Sequence, residues 1–179
     1  MLFGRRDDAE RVLAVLGKRL GRFGLQLHPG KTRLVDFRPR RDSAASVVET
    51  LPTTFVFLGF LHVWSVSRKG NTVVRQLTAK DRLARSLKAF NQQCRLMRHW
   101  PLDTQHERLC AMLKGHYGYF GISGNMRRLG RVRFRVQRLW RVWLSRRSWK
   151  SSLPWMRYAR LLQRFPLPQP RIVHRYTMA

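Results

Sequence analysis

The stretch Gln76-Leu77-Thr78-Ala79-Lys80-Asp81-Arg82-Leu83 is where the chain changes its hydrophobic period. Upstream, the apolar segment from Thr53 to Phe60 runs through Trp64 to the turn Arg68-Lys69-Gly70-Asn71. Val73, Val74 and Leu77 then return, which is the pattern of a β-hairpin. Downstream, Leu83, Leu87, Phe90, Cys94 and Met97 recur every three or four residues and form the apolar stripe of a helix. Thr78 followed three residues later by Asp81 reads as a capping box opening that helix. A hairpin feeding a run of helices makes the fold class α+β.

The helical pattern continues to the end. His99-Trp100-Pro101 stops the first helix, because proline cannot extend it. Asp103 is expected to cap a second, with Leu109, Met112, Leu113, His116, Tyr117 and Phe120 inward. A third runs from about Asn125 to Leu144 and gathers Leu129, Val132, Val136, Leu139, Trp140 and Trp143 on one side. A shorter helix spans roughly Leu153 to Arg164, before the prolines of Phe165-Pro166-Leu167-Pro168-Gln169-Pro170 impose an extended tail.

At the other end, Gly4-Arg5-Arg6-Asp7-Asp8-Ala9-Glu10-Arg11-Val12 poses a choice. Adjacent aspartates can hold the two Mg²⁺ ions of a polymerase, usually from a tight turn between strands. They can equally start a helix, where carboxylates favour the positive end of the dipole. Ala9, Val12, Leu13, Leu16, Leu20 and Phe23 share one helix face and Gly24 stands at the stop, so the helix start is the better reading. Leu25 to Leu27 and Thr32 to Phe37 read as strands joined by a turn at His28-Pro29-Gly30. Residues 38–52 lose all periodicity and read as a loop.

Charge is the strongest compositional signal: 37 Lys and Arg against 9 Asp and Glu give a net of +28 over 179 residues. Residues 108–179 carry 17 of those cations and no acid. Such a field calls for a polyanion, most often nucleic acid. With 44% hydrophobic residues the chain can still build a core. Cys94 and Cys110 make no disulfide framework. Their order with His99 and His106 matches no usual zinc spacing, so no metal is expected. The start lacks a signal-peptide core, and the longest apolar run, near Phe55 to Trp64, is about half a membrane span. A cytoplasmic chain without a membrane partner is the expectation.

Several segments resemble one family, the reverse transcriptase and maturase proteins encoded by group II introns. Leu25-Gln26-Leu27-His28-Pro29-Gly30-Lys31-Thr32 resembles the palm motif after the catalytic hairpin, and Phe57-Leu58-Gly59-Phe60 resembles the next, the hairpin that grips the primer end. Lys114-Gly115-His116-Tyr117-Gly118-Tyr119-Phe120-Gly121, continued by Gly124-Asn125, resembles the thumb or maturase X domain. Arg146-Arg147-Ser148 and Pro166 to His174 resemble its C-terminal part. The resemblance implies that residues 1–77 are the end of a palm and residues 78–179 a thumb. It also implies binding to structured RNA, specifically group II intron RNA, and to an RNA/DNA template-primer duplex.

The family's Tyr-Ala-Asp-Asp hairpin is absent from this sequence. No catalytic residue is carried over, and Mg²⁺ would be needed only if another polypeptide supplied fingers and a catalytic palm. Candidate nucleic-acid contacts are Lys31, Arg33, Gly59, Lys114, Tyr119, Asn125, Arg128, Arg131, Arg135, Arg138, Arg146 and Arg147. Some have a plain alternative: Lys31 a solvated turn lysine, Gly59 a bulge, and the arginines Arg128, Arg131, Arg135 and Arg138 a solvated basic face; His116, outside this set, reads as a core histidine rather than a ligand. Tyr117 and Tyr119 could stack on bases or fill the core. Arg128, Arg131, Arg135 and Arg138 share one helix face away from the tryptophans, with no acids near, and Phe134 falls off the apolar stripe unexplained. Trp140, Trp143 and Trp155 read as core. Two other functions compete with a maturase-type RNA-binding fragment: the C-terminal part of a split RNA-directed DNA polymerase, and a generic basic structural RNA-binding protein. Because two-metal phosphoryl transfer needs carboxylates to hold its ions, purified protein with Mg²⁺ is expected to extend no primer on an RNA template. Template-dependent extension in that assay would overturn the expectation.

Overall fold

The computed structural model describes residues 1, 3–37, 54–67, 69–148 and 152–175. They fall into two compact units, Met1–Thr53 and Thr54–Ala179. The mixed α+β class holds, with five helices and one three-stranded antiparallel sheet among the described residues.

In the first unit, α1 (Arg6–Gly21) follows the expected apolar spacing, with Asp7 and Asp8 in its first turn. Gly24 adopts a left-handed φ of 69° just past its end, as a helix stop requires. The expected strands Leu25 to Leu27 and Thr32 to Phe37 do not form. A short apolar run becomes a strand only when another strand completes its ladder, and neither segment joins the sheet. The turn between them does form: the amides of Lys31 and Thr32 both donate to the His28 carbonyl at 3.0 Å. The loop read at 38–52 lies outside the described residues.

The second unit opens on β1 (Phe55–Phe57), β2 (Phe60–Val66) and β3 (Thr72–Thr78), paired in that order. In the apolar segment read from Thr53 to Phe60, of which Thr53 lies outside the described residues, the chain turns back, with Phe57 facing Phe60 across a two-residue turn. Leu58 and Gly59 both have positive φ, 48° and 81°. That turn matches the right-handed twist of the strands it joins. Gly59 is therefore a turn residue rather than a bulge, and its leucine neighbour carries local backbone strain.

Four helices follow: α2 (Lys80–Leu96), α3 (Leu102–Phe120), α4 (Met126–Ser145) and α5 (Trp155–Arg164). Their stripes meet in one core of Phe90, Cys94, Met97, Leu109, Leu113, Val132, Val136 and Trp140, among others. The indole of Trp140 donates to the Gln105 side chain at 2.8 Å, and Gln105 in turn donates to the Trp100 carbonyl at 2.9 Å. Trp143 is half-buried and donates to Asn91, tying α4 to α2 at 2.8 Å. Trp155, expected in the core, is instead 53% exposed. The Arg141 guanidinium lies 4.0 Å from its ring centre, a cation–π contact that suits a half-wet indole.

Two expected caps are absent. The residue before α2 is Ala79 and the one before α3 is Pro101, and neither makes a side-chain cap bond. Asp103 sits inside the first turn of α3. Thr78 remains in β3, wholly buried, with its polar groups committed elsewhere. Its amide donates to Asn125 Oδ1 at 3.1 Å, while Asn125 Nδ2 donates to Thr78 Oγ1 at 2.7 Å and to the Phe120 carbonyl at 2.8 Å. Arg128 donates to the Thr78 carbonyl.

The extended tail is held by its carbonyls. Tyr117 donates to Pro168 O at 3.2 Å, and the His106 ring lies 3.0 Å from Pro166 O. Further along, Val173 and His174 both donate to the Gly121 carbonyl, and Ile122 bridges His174 in parallel. A Cβ on Gly121 would stand 2.2 Å from the Tyr117 carbonyl oxygen, so only glycine fits there.

Asn125→Ala leaves the Thr78 amide buried without an acceptor, and should lower stability by about 2–3 kcal/mol in urea unfolding with an unchanged slope. Thr78→Val should cost about 1 kcal/mol. Because the two groups bond each other, a double-mutant cycle should give a coupling of about 0.5 kcal/mol or more. Additive costs would mean that they act separately.

Candidate nucleic-acid interface

The outer side of α4 carries a row of exposed charge. Arg127, Arg131, Arg135 and Arg138 are exposed, while Leu129, Val132, Val136, Trp140 and Leu144 are buried on the opposite side. None of the four makes an ion pair or hydrogen bond among the described residues. Phe134 lies between them and is 55% exposed, with the Arg138 guanidinium carbon 5.8 Å from its ring centre.

The expected row of Arg128, Arg131, Arg135 and Arg138 is thus shifted by one residue at its start. Arg128 is half-buried and turned toward the Thr78 carbonyl. Its guanidinium pKa is lowered, first by burial and then by the neighbouring charge of Arg131. Arg127 takes the exposed position, and Arg127, Arg131, Phe134 and Arg138 follow one another at spacings of four, three and four. Phe134, left off the apolar stripe by the sequence pattern, thus falls beside the exposed arginines.

Other candidates divide between exposed and structural positions. Arg146 stacks over Trp143 at 4.9 Å and is exposed. Arg147 donates to the carbonyls of Arg98 and Trp100, the latter at 2.6 Å, and burial lowers its pKa. Asn125 is fully buried and its amide is spent on Thr78 and Phe120, so it offers no contact to a ligand. Lys114 is exposed on α3. Tyr119 is exposed, but its hydroxyl donates to the Leu58 carbonyl at 2.8 Å and its ring stacks on Phe60 at 5.7 Å. Lys31 and Arg33 are exposed in the first unit.

Gly59 is buried, and a Cβ there would meet Arg82 Cγ at 3.2 Å. Beside it lies an open cleft of about 350 Å³ lined by Leu58, Arg82, Arg85 and Tyr119 among others. Arg82 and Arg85 were not among the expected contacts, since they lie on α2 without a motif to mark them.

No three His, Cys, Asp or Glu side chains are placed to share a metal ion among the described residues. Cys94 is buried in the core, where burial pushes its thiol up to about 12. The Cys110 thiol lies 3.2 Å from the His106 ring and is also raised by burial, against the opposing charge of Lys114. A protonated thiol is a poor nucleophile and a poor ligand.

No protein-family model matches the chain, and no curated protein or solved structure is recognisably similar to it.

His116 sits in the core against Phe120, ring centres 4.7 Å apart, with its Nε2 unpartnered. Burial pushes its imidazole down from 6.5 to about 4. The unfolded chain therefore takes up this proton first, so stability should be level above the ordinary histidine range and fall as pH drops from about 6.5 toward 4, by at most about 3 kcal/mol. His116→Leu should flatten that fall in unfolding experiments across pH. An unchanged profile would place the pH sensitivity in another group.

Proposed function

We propose that this chain binds structured RNA through the outer face of α4, as a maturase-type fragment of the kind that the sequence resemblance implies. The observation that carries the reading is the set of four exposed arginines on α4, set in a half of the chain with no acidic residue. Guanidinium groups without carboxylate partners are well matched by phosphate oxygens, which they can engage in pairs of hydrogen bonds. The four are held in a row by a helix whose other face is locked into the core, so little order has to be gained on binding. The resemblance narrows the RNA to a group II intron and adds a template-primer duplex as a second polyanion. In this reading the fragment assists splicing and has no polymerase chemistry of its own.

A second reading, a split enzyme, is favoured by one observation. Phe57, Val66 and Val74 are exposed on one face of the small sheet, an apolar surface that a polypeptide carrying fingers and palm could cover. Primer extension that appears only when such a polypeptide is added would select it.

Replacing Arg127, Arg131, Arg135 and Arg138 with Gln keeps helix propensity nearly unchanged and removes four charges. The slope of log affinity against log salt for a folded group II intron transcript should flatten by about 3, at about 0.7–0.9 per phosphate contact. Arg128→Gln should instead lower stability and leave the slope nearly unchanged. A folded four-Gln variant with wild-type affinity and slope would remove α4 as the RNA site.

A further inference from the structure

Phe134 stands beside the arginines on the outer side of α4, where more than half of its surface is left to solvent. It is 55% exposed, and Arg138 is its one cation or ring contact among the described residues. Phenylalanine is also a weaker helix former than the residues that usually fill a solvent face. Four residues earlier stands Gly130, where a Cβ would meet nothing within 4 Å. Packing therefore does not demand this glycine, although a mid-helix glycine costs stability relative to alanine. Arg127, Arg131 and Arg138 are exposed and follow the 4-3-4 spacing with Phe134 along the helix.

A planar aromatic face open on one side, amid cations, suits a base whose own phosphates are held by those cations. Along its length, duplex RNA offers no free base face, since its bases are stacked within the helix. We infer that Phe134 is a stacking platform for one unpaired base, so that the α4 face selects single-stranded or looped segments over continuous duplex. This inference rests on the RNA-binding reading of α4 and adds the kind of RNA that the face takes.

The test uses the full chain with a single-stranded RNA oligonucleotide carrying one 2-aminopurine, and with the blunt duplex formed with its complement. The single strand should bind more tightly, and its 2-aminopurine fluorescence should change as the base stacks. Phe134→Ala should weaken single-strand binding by roughly 5- to 150-fold, the range for one base on an aromatic ring. It should abolish the fluorescence change, and leave duplex binding and the salt slope unaltered because no charge is removed. Phe134→Leu, which keeps apolar area without a π face, should lose as much, whereas Phe134→Trp should retain binding. Circular dichroism should be the same for all three, since the position is exposed. Equal losses on single strand and duplex, or full affinity in Phe134→Leu, would overturn the inference. If the four-Gln variant weakens RNA binding while Phe134→Ala does not, stacking alone is wrong. If the four-Gln variant binds like the wild type, the RNA-binding reading falls with it.

Discussion

The second unit depends on the clasp between Thr78 and Asn125. Thr78 is the last residue of the sheet and Asn125 stands immediately before α4, so their paired hydrogen bonds join strand to helix across 47 residues of sequence. Both side chains are fully buried. There an unpaired polar group would be costly, and each satisfies the other. The third bond of Asn125, to the Phe120 carbonyl, holds the end of α3 to the same point. One amide thereby fixes the meeting of the sheet, α3 and α4.

That clasp also sorts the arginines. Because the Thr78 carbonyl lies within reach of α4, Arg128 turns inward to it. With few acids in the chain, backbone carbonyls take the place of carboxylates elsewhere too. Arg141 donates to Leu153 O at 2.7 Å, and Arg147 donates to two carbonyls at the end of α2 and beyond. A carbonyl satisfies the hydrogen-bonding of a guanidinium but does not cancel its charge. The net of +28 is consequently left in place, divided between arginines that hold the fold and arginines that face water. Only the second class can meet a polyanion without unmaking an internal contact.

A related economy governs the tail. Its prolines lack an amide hydrogen and cannot build a helix or a ladder, yet their carbonyls accept from Tyr117 on α3 and approach the His106 ring. The segments Lys114 to Gly121 and Pro166 to His174 are separated in sequence. They are brought together where Gly121 allows backbone to approach backbone and His174 bridges Ile122. Packing accounts for Gly121 in this way, whereas a Cβ at Gly115 or Gly118 would meet nothing within 4 Å.

What the sequence determined by itself was everything carried by periodicity. All five helices, the β2–β3 hairpin and the extended tail follow from apolar spacing, proline and glycine, because those signals act over a few neighbouring residues. The fold class and the basic outer side of α4 were equally legible. Tertiary structure decided the rest. Whether Leu25 to Leu27 and Thr32 to Phe37 became strands depended on a partner that local sequence cannot announce. The reversal at Leu58-Gly59 runs against the backbone preference of leucine, and apolar spacing did not announce it. Thr78 had the sequence of a cap, but its hydrogen bonds went to Asn125, far along the chain. The choice of Arg127 over Arg128 for the solvent face turned on a single buried carbonyl. Local pattern fixes where a side chain points along its own helix, and only contacts distant in sequence decide which of its polar groups are already taken.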